Sequence, residues 1–202
     1  LRVKYRQEKI VSAELGMLKE IFGVNINKRD FILDFPKKLA KNSSKFKILE
    51  KFKKKIIIFV GQTFRSLSVH KWKSIIDLIK TKNPGCGIFL VGGDDCMWAN
   101  LKNSDCDFRN KLSFEEFLFL IEKSDLFITS NGGPMWVSAA SGTKTISIHG
   151  PSMFAWEPEG DNVINLRPYT YPDCQPCEGN CYLPKNRKFE CLKKISLSLI
   201  HI

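Results

Sequence analysis

Residues 124–142 read SDLFITSNGGPMWVSAASG, and this stretch decides how the rest of the chain is interpreted. Its apolar part, 126–129, predicts a strand, which a small polar turn at 130–133 follows. Pro134 suits the first turn of a helix, where its missing N–H costs nothing, and Gly142 is placed to end that helix. A strand, a glycine turn and a helix N-terminus favour an anion site, because unpaired N–H groups and the helix dipole point at one spot. The alternative is that the glycines only turn the chain.

Apolar runs on both sides of this stretch predict further buried strands, at 56–60, 88–91, 145–148 and 162–166. Apolar residues recur at helical spacing over 69–79, and Ser113 with Glu116 has the pattern of a capping box that opens another helix. A helix is also expected after Gly93, to about Leu101. Because strands alternate with helices, the sequence predicts an α/β fold, a Rossmann-like parallel sheet with flanking helices.

The net charge of +11 is concentrated at the start of the chain. Residues 1–55 hold 16 Lys and Arg against 6 Asp and Glu, a balance of +10, whereas residues 56–202 balance at +1. Aromatic residues are not interleaved with the basic ones, which argues against nucleic acid as a partner. An acidic membrane surface would attract such a segment. No run approaches the roughly 18 uncharged apolar residues of a membrane span.

The composition change divides the chain into two parts. Residues 1–50 are interpreted as the tail of a mostly missing N-terminal domain with a basic linker, and 51–202 as the Rossmann-like domain. Residues 37–55, rich in Lys and Ser, are expected to be a solvated connector or an exposed helix. The chain begins with Leu rather than Met, so it is expected to be a fragment.

Ligands of parallel sheets bind at the carboxyl ends of the strands, so the loops there are the informative ones. After the first strand of the body, Gln62, Thr63 and Arg65 offer an amide, a hydroxyl and a guanidinium, groups suited to phosphate oxygens. The alternative is a solvated turn. After the next strand, Asp94 or Asp95 could accept from ribose hydroxyls or cap a helix. The glycine spacing does not match the dinucleotide fingerprint.

Four of the 7 cysteines lie within 18 residues, in the pattern C-x2-C-x3-C-x9-C formed by Cys174, Cys177, Cys181 and Cys191. Four thiolates at this spacing could hold zinc, and disulfides are the other interpretation. His149, at a strand end, is expected to be structural rather than catalytic.

Taken together, these loops resemble the C-terminal half of glycosyltransferase family nine, the lipopolysaccharide heptosyltransferases and their relatives. The stretch 130–142 resembles the family motif Asn-Asp-Ser-Gly-Pro-Met-His-x-Ala-Ala-x-Gly. The run 146–151 is similar to a strand that ends in Phe-Gly-Pro, and Trp156 with Pro158 is similar to a following Trp/Tyr-x-Pro. Residues 61–72, the Gly92-Gly93 turn and the cysteine-rich tail complete a resemblance that covers roughly residues 50–196.

The resemblance implies one half of a GT-B fold that binds a nucleotide diphosphate sugar, typically ADP-heptose. The diphosphate would lie against Gly132 and Gly133. Arg65, at the family's usual Lys position, would neutralise the leaving diphosphate, while Thr63 donates to it. The carboxylate of Asp95 would contact the nucleoside. The remaining candidates for donor binding are Gln62, Asn131 and Trp136.

The same resemblance implies partners and conditions. The acceptor would be lipopolysaccharide or another glycan, the location cytoplasmic, with peripheral contact at the inner membrane surface. No cofactor and no metal ion would be needed, because cationic side chains and helix dipoles stabilise the leaving group.

The departures from the family motif bear on chemistry. Asn131 replaces its acidic residue, Gly132 its Ser or Thr, and Trp136 its His. The family's general base, an Asp near the start of the N-terminal domain, has no counterpart in the chain. A second hypothesis is therefore a degenerate, non-catalytic module that docks through its basic leader, and a third is a zinc-held nucleic-acid adaptor.

Overall fold

A computed structural model describes residues 10–23, 44–61, 66–168, 174, 177 and 180–196. The helices are α1 (Ile10–Phe22), α2 (Val69–Lys82), α3 (Phe114–Lys123), α4 (Gly133–Ala140) and α5 (Glu190–Lys193). The strands are β1 (Lys54–Phe59), β2 (Cys86–Val91), β3 (Cys106–Asp107), β4 (Leu126–Ser130), β5 (Thr145–Ile148) and β6 (Val163–Leu166). Three short 3-10 helices lie at Ser44–Lys51, Asp94–Cys96 and Phe154–Trp156. Among the helices of these residues, none is long and apolar enough to cross a membrane.

The six strands form one sheet in the order β3-β2-β1-β4-β5-β6, and every neighbouring pair is parallel. The predicted α/β fold with a Rossmann-like parallel sheet is thereby confirmed. The chain leaves β1 toward β2 on one side and leaves β4 toward β5 on the other. Right-handed crossovers then place α2 and α4 on opposite faces of the sheet. The direction of winding reverses between β1 and β4, and a crevice forms at such a switch point.

The central strands are buried on both faces, which is why they read as continuous apolar runs. All of β2 and β5 is buried, and so is β1 from Ile56 onward. The indole of Trp72 on α2 is fully buried, together with Ile75, Ile76 and Ile79 of the same helix. At roughly 1.5–3 kcal/mol per fully buried large apolar side chain, this core is the main source of stability.

One expectation about local structure is wrong, and one short strand was not predicted. The helix predicted to about Leu101 is only a 3-10 turn at Asp94–Cys96. The guanidinium of Arg109 occupies the carbonyls of Cys96 and Ala99, each at 2.7 Å, which a continuing helix would need for its own N–H groups. The two-residue strand β3 follows, and its sequence carries no apolar signal.

Residues 37–55 were expected to be a solvated connector or an exposed helix; 37–43 lie outside the described residues, and Ser44–Lys51 form a 3-10 helix that is only partly exposed. Its lysines are exposed, but Phe46 and Leu49 are buried in the same core as the sheet. The Phe46 ring lies 5.8 Å from that of Phe108 and 5.1 Å from that of Phe119, between ring centroids. The division of the chain at residue 51 itself stays a prediction.

Helix ends follow the chemistry of their residues. Ser113 and Glu116 form the predicted capping box of α3. Gly23 and Gly142 end α1 and α4 in the left-handed region, with φ of 68° and 77°, and each donates its N–H back into the helix it ends. A Cβ is costly at such a φ, which explains the glycines.

Asp125 fixes the register of β4 against β1. Its carboxylate accepts from the Lys55 N–H at 2.8 Å and from Lys54 Nζ at 3.2 Å, while its own N–H donates to the Lys55 carbonyl at 2.9 Å. Burial raises the pKa of this carboxyl, but the hydrogen bonds and charges of Lys54 and Lys55 outweigh burial and leave the pKa lowered. Asp125 therefore stabilises the fold in its ionised form.

We expect Asp125→Asn to lower the free energy of unfolding at pH 7 by about 1–2 kcal/mol, because it weakens charge-assisted hydrogen bonds. The folded-state pKa is depressed, so this stability is present above the unfolded pKa near 3.9 and is lost as pH falls through the folded value. Urea denaturation from pH 7 to pH 3 should show a smaller acid loss in the variant. The exposed Asp161, changed to Asn, is the matched control, and an equal acid loss in Asp125→Asn and wild type would contradict the assignment.

Candidate functional site

The candidate site lies at the carboxyl ends of β1 and β4, where the sheet reverses its winding. Gly132, at the N-cap of α4, has no side chain with which to cap the first N–H groups of the helix. Its backbone is extended, with φ 166° and ψ −179°, and its carbonyl accepts from the Met135 N–H at 3.1 Å. Gly133 is exposed, and a Cβ built on it meets nothing within 4 Å. The end of the helix is thus open to a ligand.

The loops that follow β1 and β4 interlock. The buried hydroxyl of Ser130 donates to the Val60 carbonyl at 2.7 Å. Gly61 comes next with φ 71°, and a Cβ at this position would overlap the Ser130 hydroxyl. Only glycine meets both conditions, the left-handed backbone and the close approach. The glycine after β1 is therefore a requirement of the contact with β4.

The predicted residues Gln62, Thr63 and Arg65 lie outside the described residues. The residues on either side of them are held by indoles. Trp98 Nε1 donates to the Gly61 carbonyl at 2.8 Å, and Trp72 Nε1 donates to the Ser66 hydroxyl at 2.7 Å. Trp98 was not predicted from the sequence, because its partner Gly61 is distant in the chain and has no side chain. Ser66 was not predicted either, because no local sequence pattern marks its bond to Trp72.

The loop after β2 carries the predicted Asp95 to the same edge of the sheet. Asp94 and Asp95 are both exposed, and Asp94 accepts from Asn110 Nδ2 at 2.6 Å. The buried Cys96 thiol donates to Asp95 Oδ1 at 3.4 Å. Burial, and then the neighbouring Asp95 carboxylate, raises the pKa of Cys96 to about 12, so the thiol stays protonated. Cys96 is thus not a nucleophile, and the role of Asp95 toward a nucleoside stays a prediction.

The side chain of Arg109, which is 5% exposed, bonds the backbone of the loop after β2. Its Nε and Nη2 donate to the two Asp107 oxygens at 2.9 and 2.6 Å, while Nη1 reaches the carbonyls of Cys96 and Ala99. Burial raises the pKa of Asp107, but the hydrogen bonds from Arg109 outweigh it and leave that pKa lowered. A buried guanidinium is tolerated because all of these bonds are made. The only sequence signal for these bonds was the spacing of Asp107 and Arg109, two residues apart.

The other predicted residues of the motif lie between the end of β4 and the first turn of α4. Asn131 follows β4, and its N–H donates to the Ile148 carbonyl at 3.1 Å, which ties the loop to β5. Trp136 lies in the first turn of α4 and is half-buried. The end of β4 and the start of α4 are consecutive in the chain, so they place Asn131, Gly132, Gly133 and Trp136 close together. The contact between Gly61 and Ser130 places Gly61 beside them.

His149 is fully buried at the end of β5. Its Nε2 lies 2.7 Å from Ser147 Oγ and 3.1 Å from Asn165 Oδ1, and its Nδ1 lies 3.4 Å from Ser152 Oγ. These contacts bind neighbouring strands and a loop, which supports the structural role expected from the sequence.

The seven cysteines are all free thiols. Burial raises the pKa of Cys174, and the neighbouring thiols of Cys177 and Cys181 raise it further. Within the described part of the chain, no group of three or more His, Cys, Asp or Glu side chains is arranged to hold a metal ion.

Comparisons with known proteins find a matching family and relatives of known sequence. A family model described as "Glycosyltransferase family 9 (heptosyltransferase)" matches residues 1–185. Lipooligosaccharide heptosyltransferase 2 of Campylobacter jejuni subsp. jejuni serotype O:2 is 33% identical over 89 residues, which are 42% of this chain and 27% of that protein.

Solved structures share the fold. The structure of E. coli heptosyltransferase WaaC with ADP has a TM-score of 0.55 at 14% identity, covering 86% of this chain and 54% of that one. E. coli ADP-heptose LPS heptosyltransferase II gives 0.51 at 15% identity, with coverages of 69% and 45%. The chain therefore spans about half the length of these structures and about a quarter of the curated relative.

We expect Gly61→Ala to lower the free energy of unfolding by about 2 kcal/mol, from left-handed strain and from overlap with Ser130. Thermal and urea denaturation measure the loss. Gly85→Ala is the control, because a Cβ there meets nothing within 4 Å, and it should change stability by less than about 0.5 kcal/mol. In a Ser130→Ala background the cost of Gly61→Ala should shrink; strictly additive effects would show that the two residues do not touch.

Proposed function

The chain belongs to glycosyltransferase family 9, and on that premise we propose that it is the donor-binding part of a sugar transferase. Its donor is a nucleotide diphosphate sugar with a heptose-like sugar, and its acceptor is lipopolysaccharide or a related glycan. The fold agrees with this role, since it matches one part of heptosyltransferase structures. The names of the relatives supply the choice of ADP and heptose.

One observation carries the proposal: the N-terminus of α4 opens without a side-chain cap at the switch point of the sheet. Gly133 leaves open space in front of the first turn, and the helix dipole favours negative charge there. In a doubly wound sheet this is the place where a diphosphate is expected. A glycine turn that served only to reverse the chain would need neither the open space nor the contact of Gly61 with Ser130.

The candidate residues divide by the part of the donor that they would serve. Arg65 is the catalytic candidate: its guanidinium would neutralise the charge that develops on the leaving diphosphate. Thr63 and Gln62 would hydrogen-bond phosphate oxygens, together with the N–H groups of Gly132 and Gly133.

The nucleoside and the sugar would contact different groups. Asp95, exposed at the end of β2, would accept from ribose hydroxyls. Asn131 and Trp136 would face the sugar or base with an amide and an indole in place of the acid and imidazole of the family motif. This exchange would alter donor preference, because an amide can also donate and an indole cannot change its charge.

Transfer in this scheme depends on stabilising the leaving group. As the glycosidic bond to the diphosphate breaks, negative charge grows on the terminal phosphate oxygen, and a fixed guanidinium and helix dipole lower the barrier by stabilising it. The general base that accepts the acceptor's proton is not assigned to any residue of this chain. Residues 1–50 are proposed to be the tail of an N-terminal domain and a basic linker, and 51–202 the donor domain.

The proposed donor site predicts that the chain binds ADP. Isothermal calorimetry should show binding of ADP and ADP-heptose to the purified chain, and Arg65→Ala should weaken it by on the order of 1.5–3 kcal/mol, the cost of losing a charge-assisted hydrogen bond. Arg187, which pairs with Glu190 on the surface, is the matched Arg→Ala control and should leave the affinity unchanged.

Two results would count against this proposal. If wild type bound no nucleoside diphosphate, the donor-binding function would be wrong. If Arg65→Ala and Arg187→Ala both bound as wild type does, Arg65 would be removed from the site while the function stood.

The second prediction concerns the basic leading segment. We propose that it brings the protein to the cytoplasmic face of the inner membrane, where a lipid-linked acceptor would lie. Each Lys or Arg near an anionic surface contributes about 1 kcal/mol, so the +10 balance of residues 1–55 is ample. The chain should sediment with phosphatidylglycerol vesicles at low salt and be released at high salt.

Replacing two lysines in the basic segment, or two lysines in the body as a control, tests which part of the chain makes the vesicle contact. Changing Lys37 and Lys38 to Gln should reduce sedimentation more than changing the exposed Lys102 and Lys144 of the body. Equal sedimentation with neutral phosphatidylcholine vesicles would contradict an electrostatic contact.

A further inference from the structure

The β5–β6 turn, residues 149–162, exposes three large apolar side chains within four positions. Met153 is 41% exposed, Phe154 is 55% exposed and Trp156 is 42% exposed. Single exposed apolar residues are ordinary on a protein surface, whereas a group of them marks a surface that contacts another molecule. Trp156 also belongs to the Trp-x-Pro pattern of the sequence, to which the proposed donor site gives no role.

A buried ion pair holds the β5–β6 turn in one shape. The guanidinium of Arg167 pairs with the carboxylate of Glu157, and the two side chains are only 13% and 4% exposed. Arg167 also donates through Nη1 to the Ser152 carbonyl at 3.3 Å and through Nη2 to the Met153 carbonyl at 3.2 Å. Its guanidinium carbon lies 5.6 Å from the centroid of the Phe154 ring. Because these charge-assisted bonds all meet at one planar group, the backbone that carries the exposed side chains has a fixed geometry.

The base of the same turn is covered by the C-terminal part of the chain. A Cβ built on Gly150 would overlap the side chain of Leu192 in α5. The carbonyl of Pro151, which is buried, accepts from the Cys177 N–H at 3.2 Å. The large exposed apolar side chains of the β5–β6 turn therefore lie only at its tip, residues 153–156.

The β5–β6 turn begins beside the N-terminus of α4. Asn131, in the turn that leads into α4, donates its N–H to the carbonyl of Ile148, the last residue of β5. In the strand order, β5 lies next to β4 on one side, whereas β2, whose loop carries Asp95, lies next to β1 on the other. A donor with its nucleoside toward Asp95 and its diphosphate at α4 would therefore present its sugar toward β5.

From these observations we propose that Phe154 and Trp156 form a subsite for the glycan acceptor, where they pack against the apolar faces of its pyranose rings. The C–H groups on one face of a pyranose ring are apolar, and an aromatic side chain offers them a flat apolar surface. Their contact removes apolar surface of both molecules from water. The inference rests on the proposed function, because it names the contact for the acceptor of the same transfer.

The charges of this turn favour a glycan over an anionic membrane surface. Residues 150–166 contain three carboxylates and no Lys or Arg. An anionic lipid surface would repel them, in contrast to the basic segment at the start of the chain. Asp161 is exposed, and its carboxylate can accept hydrogen bonds from sugar hydroxyls.

The size of the tip favours the acceptor over the sugar of the donor. The donor offers one sugar ring, which its bond to the diphosphate keeps close to α4. The tip begins five positions beyond the end of β5 and carries three large side chains, which suits a chain of several sugar rings.

The test measures binding of a core oligosaccharide that mild acid hydrolysis has freed from the lipid of a bacterial lipopolysaccharide. Calorimetry on the full chain, with saturating ADP present, should give a Kd for the oligosaccharide that rises about fivefold or more in Trp156→Ala and in Phe154→Ala. The Kd for ADP should stay at the wild-type value in both variants, which also establishes that they are folded.

Two further variants sharpen the comparison. Trp156→Tyr keeps an aromatic ring and should retain most of the oligosaccharide affinity. Phe114→Ala is the matched control: Phe114 is also exposed, but it begins α3, which follows β3 at the opposite edge of the sheet, and its replacement should leave the oligosaccharide Kd unchanged.

The possible results separate the inference from the function on which it rests. If wild type binds ADP but not the oligosaccharide, or if both alanine variants bind the oligosaccharide as wild type does, the acceptor subsite is wrong and the donor-binding function stands. If wild type binds neither ADP nor ADP-heptose, the proposed function fails, and the inference fails with it.

Other occupants of the tip would give different losses. If Trp156→Ala weakens ADP-heptose but neither ADP nor the oligosaccharide, the side chain contacts the donor sugar. If Trp156→Ala reduces sedimentation with phosphatidylglycerol vesicles and leaves the oligosaccharide Kd unchanged, the tip contacts lipid. Either result overturns the assignment to the acceptor.

Discussion

The parallel pairing of β1 with β4 is the constraint on which the rest of the structure depends. These two strands are the point from which the chain winds outward in both directions, so their register sets the position of every later strand. Asp125 holds that register at one end through the backbone and side chain of the lysines that begin β1. Ser130 holds it at the other end through the Val60 carbonyl. The pairing of β1 with β4 is thus fixed at both ends, where the strands begin and at the carboxyl end, where the candidate site lies.

Alignment at the binding edge has a chemical result. Because β1 and β4 end side by side, the N-terminus of α4 opens beside the loop after β1, and the contact of Gly61 with Ser130 brings the two backbones closer than any side chain would allow. The loop after β2 joins them through Trp98. The chain belongs to glycosyltransferase family 9, and these loops are the part of it where we propose that a donor diphosphate binds. Asn131 and Trp136 differ from the family motif beside a glycine turn that resembles it, so the proposed donor site has different groups around the same turn.

Most of the architecture could be predicted from the sequence, because strands buried on both faces must be continuous apolar runs and helices between them must be amphipathic. The runs at 56–60, 88–91 and 145–148, the capping box of Ser113, and the glycine that ends α4 each have a local physical cause, and each lies where it was predicted. The helix expected before Leu101 failed because Arg109, distant in sequence, takes the carbonyls that it needed. A propensity read over a few residues contains no information about such a competitor.

The sequence by itself determined the α/β class, the family resemblance and the glycine turn at the start of α4, since these follow from local periodicity and from residue types that only certain backbones accept. Only the tertiary structure decided the strand order, the contact between Gly61 and Ser130, and the partners of Arg109, Trp98 and Trp72. The physical reason is that most of these features join groups far apart in the chain, and the nearer pair, Trp72 and Ser66, has no local sequence pattern that marks its bond. Whether a buried donor finds an acceptor depends on where the whole sheet places both, and no local pattern carries that information.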